Sequence, residues 1–393
     1  MKEVFIVSAK RTPIGSFLGM LSNHSATELG AIAIKETYSG IGLNASIIDS
    51  VYMGNVLSAN LGQAPARQSA KFADIPNEVD CTTINKVCSS GIKAASIATQ
   101  QIQLGLEHLI IAGGMESMSN TPHYANLRKI TKLGDQQFID GLLKDGLTDV
   151  YNNFHMGNAA EICVSKYKIS REQQDEFALQ SYAKAALASR NGKFRNEIIP
   201  IKIMSKNGEI YLNEDEDVSK VIPEKVSKLK PVFLEGGTIT AANASNINDG
   251  AATILLASKE AVEKHHLKPL AKIIAYADAS QAPEWFTTSP SIAILKVLKR
   301  ANLKMSDIDY FEINEAYAAV VLANQQILGI SNSKTNIYGG AVAMGHPLGA
   351  SGARILCTLT SVLNQEGGTF GIAAICNGGG GATAMIIQNL NNS

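Results

Sequence analysis

Apolar and polar residues follow one another along the chain in two recurring patterns. Short apolar runs, such as Val4–Val7 and Lys272–Ala275, have the length of buried strands. Each run is followed by a segment with apolar residues at helical spacing, at Glu28–Tyr38 and at Ser291–Ala301. Because strands that alternate with helices form sheets covered by helices, this order predicts an α/β fold with covered, largely parallel sheets.

The order of strands and helices occurs twice in the chain. Segment Ser46–Met53 resembles Ser306–Ile313, and a helix predicted to open at Ser90 matches one predicted to open at Ser351. Both matches have an offset of about 260 residues, which is typical of an internal duplication.

Two core halves and an insertion follow from this duplication. The first half is predicted at residues 1–118 and is completed by 246–270, and the second half is predicted at 271–393. Residues 119–245 have no counterpart in the second half and are polar and rich in lysine. We therefore predict that they form an inserted domain.

The bulk composition narrows the class of protein. A chain of 393 residues exceeds what one hydrophobic core usually serves, and 45% hydrophobic with 18% charged residues is typical of a globular enzyme. A formal net charge of zero argues against a general nucleic-acid binder. No stretch approaches the roughly 20 apolar residues of a membrane span. The early strand Val4–Val7 leaves no room for a leader, so we expect a cytoplasmic protein, or a mitochondrial one if a presequence was removed.

Cys88 is the first candidate nucleophile. The five cysteines include no CxxC pair, which fits neither a disulfide framework nor a zinc site. Cys88 lies where an apolar run gives way to the helix predicted at Ser90. The free N–H groups and the dipole of a helix start lower the pKa of a thiol, which predicts a reactive Cys88. A buried structural cysteine is the alternative, and it is the expected role of Cys81, Cys163 and Cys357.

Two glycine-rich loops carry further candidates. His346 lies in the loop before Ser351, so the duplication places it opposite Cys88, where it could take the thiol proton. A histidine that merely caps the helix is the alternative. Cys376 follows an apolar strand and precedes Gly378–Gly381, whose N–H groups could form an oxyanion site. A phosphate-binding loop explains these glycines less well, because neither the Walker nor the dinucleotide spacing is present.

Asn314 comes at the end of the duplicated strand. Ligands gather at strand ends in open α/β sheets, so this polar side chain is a candidate to position a water or an oxyanion.

Together these segments resemble the thiolase family over nearly the whole chain. The matching motifs stand in family order: Arg11–Gly15, Asn85–Gly91, Gly113–Ser119, His155–Gly157, Asn243–Ser245, Asn248–Gly250, Asn314–Tyr317, Gly345–Gly352 and Cys376–Gly380. The resemblance implies a duplicated five-layer αβαβα core with the insertion as a loop domain over the active site. It also implies reversible condensation of two acetyl-CoA molecules to acetoacetyl-CoA and CoA, no covalently bound cofactor, and a homodimer or homotetramer.

The same resemblance implies catalytic roles. Cys88 would take the acyl group while His346 accepts its proton, and Cys376 would remove the α-proton of the second acetyl-CoA. Asn314, through a water, and His346 would stabilise one oxyanion. The N–H groups of Cys88 and Gly378 would stabilise the other.

The resemblance also implies where CoA and a cation bind. The implied CoA contacts are Ser245, His155, Met156, Lys225 and Tyr182. A lysine such as Lys225 could equally belong to a solvated face. Some motifs resemble the mitochondrial acetoacetyl-CoA thiolases, a branch that binds potassium and accepts a 2-methyl group. On that resemblance the following residues would surround the ion, mostly through carbonyl oxygens: Tyr182, Ala241, Ala242, Ala244 and Val342.

Departures from the bacterial pattern leave the acyl pocket and the substrate range open. Ser89 replaces a glycine, Tyr317 replaces a phenylalanine, and Trp285–Pro290 lacks the usual motif. A 3-ketoacyl-CoA thiolase that acts on longer or 2-methyl-branched chains is therefore an alternative. A ketoacyl synthase would use other partners than His346 and Cys376. A silent thiolase-like lipid carrier would not need both of them beside the candidate nucleophile.

Overall fold

The computed structural model describes residues 2–128, 133–205 and 208–390. The strands in these ranges are β1 (Val4–Arg11), β2 (Gly15–Ser16), β3 (Ser50–Gly54), β4 (Asp80–Ile84), β5 (Leu109–Ser117), β6 (His123–Tyr124), β7 (Ile139–Asp140), β8 (Thr148–Asp149), β9 (Phe154–His155), β10 (Ile201–Ser205), β11 (Gly208–Leu212), β12 (Asn248–Ser258), β13 (Ala271–Ser280), β14 (Tyr310–Ile313), β15 (Phe370–Asn377) and β16 (Gly381–Asn389). The α-helices are α1 (Ala26–Ser39), α2 (Pro65–Phe72), α3 (Ser90–Leu104), α4 (Met156–Tyr167), α5 (Arg171–Arg190), α6 (Pro223–Val226), α7 (Lys259–Lys264), α8 (Ser289–Ala301), α9 (Ala318–Leu328), α10 (Ala341–Met344) and α11 (Leu348–Glu366).

One ten-stranded mixed sheet runs through both halves in the order β14-β15-β16-β13-β1-β12-β5-β3-β4, with β2 beside β12. The pairs β3·β4, β3·β5 and β14·β15 are parallel, whereas β12 and β16 run antiparallel to both of their neighbours. The expectation of largely parallel sheets is therefore wrong. The turn at Gly378–Gly380 between β15 and β16 is too short for a crossover, so these two strands must be antiparallel.

The duplication is visible in the pairing. Val51 of β3 pairs in parallel with Cys81, and the equivalent Phe311 of β14 pairs in parallel with Thr335 through an isolated bridge. The halves join where β1 meets β13, at Phe5 opposite Lys272. The sheet is thus continuous across two similar units.

Helices form three layers around the two halves of the sheet. Helices α1 and α2 pack against the first half, and α8 and α9 pack against the second half. Helices α3 and α11 share the central core with strands of both halves, for example Ile92 and Ile355 beside Ile110 and Ile375. This order of layers is αβαβα, as the resemblance implies.

The two central helices cross very closely near their first turns. A Cβ atom at Gly352 would lie 2.5 Å from the backbone nitrogen of Ile92, and one at Gly91 would lie 2.8 Å from that of Ala353. Both glycines are therefore needed for the crossing. It brings the loop before α3, which holds Cys88, next to the loop before α11.

Residues 119–245 hold β6 to β11 and α4 to α6, which lie outside the ten-stranded sheet. A buried ion cluster ties them to the core: Arg11 of β1 bonds Glu197 at 2.7 Å and Asp215 at 2.7 and 3.0 Å. The domain boundaries stated above stay a prediction. No helix in the described ranges is long and apolar enough to cross a membrane.

Candidate active site

A cavity of about 520 Å³ lies where the two core halves meet residues of the insertion. Cys88, His346 and Gly378 line it together, so the structure brings three predicted residues into one place. Cys376 and Asn314 are each only 1% exposed and lie behind the cavity wall.

Cys88 is presented by a strained turn between β4 and α3. Val87 has φ +47°, a left-handed conformation that is costly for a β-branched side chain, by about 1 to 2 kcal/mol. Hydrogen bonds hold it there: the Val87 N–H donates to Asn85 Oδ1 at 3.0 Å, and the Ser90 N–H donates to the Val87 carbonyl at 3.0 Å. The turn directs Cys88 toward the cavity at the start of α3.

The thiol of Cys88 is protonated at neutral pH. Burial raises its pKa to about 12, and N–H groups of Gly378 and of Cys88 itself lower it only in part. The expectation that the helix start would lower the pKa is therefore wrong, because desolvation is the larger effect. The same two N–H groups lie within hydrogen-bonding reach of the sulfur, where an acyl oxyanion would form.

Backbone geometry fixes the His346 loop. Gly345 has φ +109°, and a Cβ there would lie 2.3 Å from Asn248 Cγ. The His346 N–H donates to Asn248 Oδ1 at 2.9 Å. Asn248 is itself held by Gly15 and Asp217, each 2.9 Å from its Nδ2.

The imidazole of His346 is neutral and has one free nitrogen. Its Nδ1 lies 2.6 Å from Ser351 Oγ, and that hydroxyl donates to the Pro347 carbonyl at 2.8 Å. The hydroxyl proton is thus in use, so Nδ1 carries the imidazole hydrogen and Nε2 has the lone pair. Nε2 is buried and has no partner among the described residues. Burial and the charge of Arg354 lower the His346 pKa to about 3, so the imidazole is uncharged at neutral pH and Nε2 keeps its lone pair.

Asn314 lies beside His346 at the end of β14. Its Nδ2 is 3.5 Å from His346 Nδ1, and its Oδ1 accepts from Arg354 Nη2 at 3.4 Å. Arg354 is buried and 3.5 Å from Glu312, whose pKa burial raises to about 8. The structure therefore brings Asn314 to the His346 loop, as predicted.

Cys376 is the last residue but one of β15, next to the turn that holds Cys88. Burial and the nearby Cys88 sulfur raise its pKa well above the usual value. Ser89 Oγ lies 3.2 Å from the Ile375 carbonyl and 2.8 Å from Asn377 Oδ1, the residues on either side of Cys376. Sequence reasoning noted Ser89 only as a departure from a pattern and missed this contact, for which the sequence carries no signal.

Glu116 is a second residue that sequence reasoning missed. Its carboxylate accepts from Asn55 Nδ2 at 2.7 Å, from the N–H groups of Val56 and Leu57 at 3.1 Å, and from Gly349 N at 2.8 Å. It therefore joins the loop after β3 to the start of α11. Burial raises its pKa to about 7. A lone acidic residue in an otherwise apolar strand was the available signal.

Three of the implied CoA contacts line the main cavity. His155 stacks on Phe233 with ring centroids 4.7 Å apart, and Met156 begins α4 beside it. Ser245 Oγ donates to the Ala316 carbonyl at 2.9 Å. These side chains form the wall of the cavity on the side of the insertion.

Ala244 lines the main cavity, whereas four other implied ligands lie at a neighbouring cavity of about 270 Å³. Lys225, Tyr182, Ala241 and Ala242 line it, and Ala241 also lines the main cavity. Val342 packs in the same buried cluster as Tyr182. Lys225 lines only the smaller cavity, whereas Cys88 and His346 line the main one. This separation is what a residue that contacts the distal part of CoA would show.

Known proteins resemble this chain along nearly its whole length. Residues 4–260 match the family model "Thiolase, N-terminal domain", and residues 267–389 match "Thiolase, C-terminal domain". "Acetyl-CoA acetyltransferase 2" of Arabidopsis thaliana is 51% identical over 99% of this chain and 98% of its own. The cytosolic acetyl-CoA acetyltransferase of Gibberella zeae is 50% identical over 99% of this chain and 99% of its own. The mitochondrial acetyl-CoA acetyltransferase of Bos taurus is 50% identical over 99% of this chain and 92% of its own.

Two solved structures have the same fold. Acat5 thiolase from Ascaris suum in complex with coenzyme A gives a TM-score of 0.94 at 46% identity, over 99% of this chain and 100% of that one. Human mitochondrial 3-ketoacyl-CoA thiolase gives 0.96 at 40% identity, over 99% of each chain. With both family models matched and full-length identity of about half, the chain belongs to the thiolase family.

Proposed function

We propose that this protein is an acetyl-CoA C-acetyltransferase, which condenses two acetyl-CoA molecules to acetoacetyl-CoA and CoA and also catalyses the reverse reaction. The observation that carries the proposal is one cavity with a protonated Cys88 thiol, the free Nε2 of His346 and a pair of N–H groups at the sulfur. These groups suit acyl transfer between thioesters. Loss of acetoacetyl-CoA absorbance on addition of CoA tests the activity, and its absence would contradict it.

The first half-reaction transfers an acetyl group to the enzyme. Cys88 Sγ attacks the thioester carbonyl while His346 Nε2 takes the thiol proton. The carbonyl oxygen becomes an oxyanion beside the N–H groups of Cys88 and Gly378. When the carbon–sulfur bond to CoA breaks, the imidazolium returns the proton to the leaving CoA thiolate. The products are acetyl-Cys88 and CoA.

The second half-reaction forms the carbon–carbon bond. Cys376 passes its thiol proton to His346 Nε2 and then, as thiolate, removes the α-proton of a second acetyl-CoA. The enolate oxygen accepts from the protonated Nε2 and from a water on Asn314. The carbanion attacks the carbonyl of acetyl-Cys88, and the bond to the Cys88 sulfur breaks. The imidazolium of His346 returns its proton to that sulfur, so Cys88 and Cys376 are both thiols again and His346 is neutral. Burial and the Cys88 sulfur raise the pKa of Cys376 strongly, so its thiolate is favoured only while Cys88 is the uncharged thioester and His346 carries the proton.

CoA would run from the main cavity toward the smaller one. His155, Met156 and Ser245 would contact the pantetheine arm, and Lys225 with Tyr182 would contact the distal end. Lys225→Ala should raise the KM for CoA with little change in kcat, because its contact is equal in ground state and transition state. A change confined to kcat would contradict this assignment.

A potassium ion would bind beside the small cavity, which Ala241 and Ala242 line. Among the described residues, the carbonyl oxygens of Ala241, Ala242 and Ala244 accept no hydrogen bond, so they are available to a hard cation. Tyr182 and Val342 would complete the set. Bound there, the ion would order the loop that carries Ser245. Potassium should raise the thermal midpoint more than sodium at equal ionic strength, and equal midpoints would remove the site.

A 3-ketoacyl-CoA thiolase with a longer or 2-methyl-branched substrate is the second candidate. The high likeness to the human 3-ketoacyl-CoA enzyme favours it, and the aromatic wall of the cavity, Phe286 and Tyr317, opposes a long chain. Relative kcat/KM for acetoacetyl-CoA, its 2-methyl analogue and a long-chain 3-ketoacyl-CoA separates the candidates.

A symmetric homodimer or homotetramer completes the proposal, with no nucleic-acid or membrane partner. Light scattering that gives a mass near the 41.8 kDa of one chain would contradict it. The cytoplasmic location stays a prediction, since relatives of equal identity are cytosolic and mitochondrial.

A further inference from the structure

Lys86 lies in the strained turn that holds Cys88, and its side chain reaches across to the other half of the core. Its Nζ donates to Asp278 Oδ1 of β13 at 2.5 Å, to the Ala382 carbonyl at 3.2 Å and to Thr383 Oγ1 at 2.8 Å, the last two on β16. Thr383 Oγ1 also donates to Asp278 Oδ1 at 2.7 Å. All three contacts of this ammonium therefore lie in the second half.

The backbone of Lys86 belongs to the turn itself. Its N–H donates to Ser90 Oγ at 2.8 Å, and Ser90 Oγ donates to the Val87 carbonyl at 2.5 Å. A β-branched residue at positive φ persists only where the surroundings fix it from both sides. Helix α3 fixes the turn downstream. The side chain of Lys86 fixes it upstream.

The contacts that Lys86 makes on β16 lie close to the turn Gly378–Gly380. Ala382 pairs directly with Cys376 across β15 and β16, and the turn between these strands supplies the N–H of Gly378. A displacement of β16 relative to Lys86 would therefore change the distance between the Cys88 sulfur and that N–H. Carbonyl polarisation by an oxyanion donor depends steeply on such distances.

Lys93 provides a matched comparison within the same cluster. Its Nζ lies 2.6 Å from Asp278 Oδ2, and its side chain is 26% exposed against 24% for Lys86. Burial raises the pKa of Asp278, but hydrogen bonds from both lysines outweigh this and lower it to about 2. Within the described residues, the side chain of Lys93 bonds neither to β16 nor to the turn. Both lysines bond to the Asp278 carboxylate, but only the side chain of Lys86 also bonds to β16.

We propose that Lys86 is a positioning residue, which locks the nucleophile turn onto β16 and so aligns Cys88 with the N–H of Gly378. The role of that alignment rests on the proposed acyl transfer. Lys93 contributes to the same ion cluster without aligning the reacting groups.

The test compares Lys86→Met, Lys86→Arg and Lys93→Met with the unmodified protein. Methionine keeps the unbranched apolar part of the side chain as far as Cε and removes the ammonium with its three hydrogen bonds. Lys86→Met should lower kcat for thiolysis of acetoacetyl-CoA about tenfold or more, with the KM for CoA changed less than about threefold. Lys86→Arg should recover most of the loss, and Lys93→Met should stay within about twofold.

Alkylation of Cys88 by iodoacetamide, followed by mass mapping, gives a readout that needs no turnover. The rate of alkylation should change in Lys86→Met and not in Lys93→Met, because only Lys86→Met moves the Cys88 sulfur relative to the N–H of Gly378. If the unmodified protein has no thiolase activity, the proposed function fails while the alkylation comparison still tests the alignment. Equal effects of Lys86→Met and Lys93→Met in both assays, or no effect of either, would overturn the proposal.

Thr383→Val carries the test if Lys86→Met does not fold. This nearly isosteric change removes one contact of the ammonium on β16. It should lower kcat about threefold or more at unchanged KM, and an unchanged kcat would overturn the proposal.

Discussion

Replacing Ser351 by alanine should cost most of the turnover without weakening substrate binding. Ser351 Oγ is the acceptor that keeps the hydrogen of His346 on Nδ1, at 2.6 Å, and it does not line the main cavity. In its absence the nearest polar group is Asn314 Nδ2 at 3.5 Å, which is a donor. Nδ1 would then act as the acceptor and the hydrogen would move to Nε2, where it would block the base.

The magnitude follows from the hydrogen bond that is lost. A buried N–H left without its acceptor costs about 1 to 3 kcal/mol, and each 1.4 kcal/mol of tautomer preference is about a tenfold change in the population of the active form. We therefore expect kcat to fall about 10-fold to 100-fold, with the KM for acetoacetyl-CoA within about twofold.

Ser96→Ala is the matched control for this change. Ser96 is buried on α3, the helix equivalent to α11, and its hydroxyl donates to the Ile92 carbonyl at 2.9 Å, four residues earlier, as Ser351 donates to Pro347. It contacts no histidine among the described residues. Steady-state thiolysis with both variants separates loss of the helix contact from loss of the tautomer. If Ser351→Ala keeps kcat within about twofold of Ser96→Ala, the argument for the free Nε2 is refuted.

Two further predictions follow from the buried groups. Cys376→Ser should still acquire an acetyl group from acetyl-CoA but lose condensation by at least about a hundredfold, since a serine hydroxyl is too weak an acid to exchange the α-proton; equal loss of acetylation would contradict the separate roles. His346 has a pKa of about 3 when folded and about 6.5 when unfolded, so the unfolded state binds more protons between these values and stability falls as pH falls through that range. Between pH 7.5 and 4.5 the free energy of unfolding should therefore drop about 3 kcal/mol more in the unmodified protein than in His346→Gln. Urea titration of both proteins at the two pH values measures this difference. Equal drops in the two proteins would contradict a buried neutral imidazole.

The repeated elements could be predicted from sequence because their pattern is local. Apolar runs and helical spacing predicted β1, α1 and the start of α3 correctly. The direction of β12 and β16 could not be predicted in the same way, because pairing partners are set by which strands lie adjacent in the folded chain. The short glycine turn before β16 is a signal for antiparallel pairing that hydrophobic periodicity does not contain.

The sequence predicted which side chains lie together, whereas their catalytic roles stay a prediction and their electrostatics could not be predicted. Motif order located Cys88, His346 and Cys376, and the fold brings the first two into one cavity. The protonation state of the thiol was predicted wrongly, because a helix start is visible in sequence and the degree of desolvation is not. Contacts between distant segments, such as Ser89 with Asn377 and Glu116 with Gly349, were likewise invisible before the fold was known.

The central claim is that Cys88 carries the acyl group, and trapping the intermediate tests it most directly. The protein would be incubated briefly with acetyl-CoA, quenched in acid, digested and mapped by mass spectrometry. The account predicts one acetyl group on the peptide that contains Cys88, present also in Cys376→Ser and absent from Cys88→Ala. An acetyl group on Cys376, or the same labelling in Cys88→Ala, would contradict it.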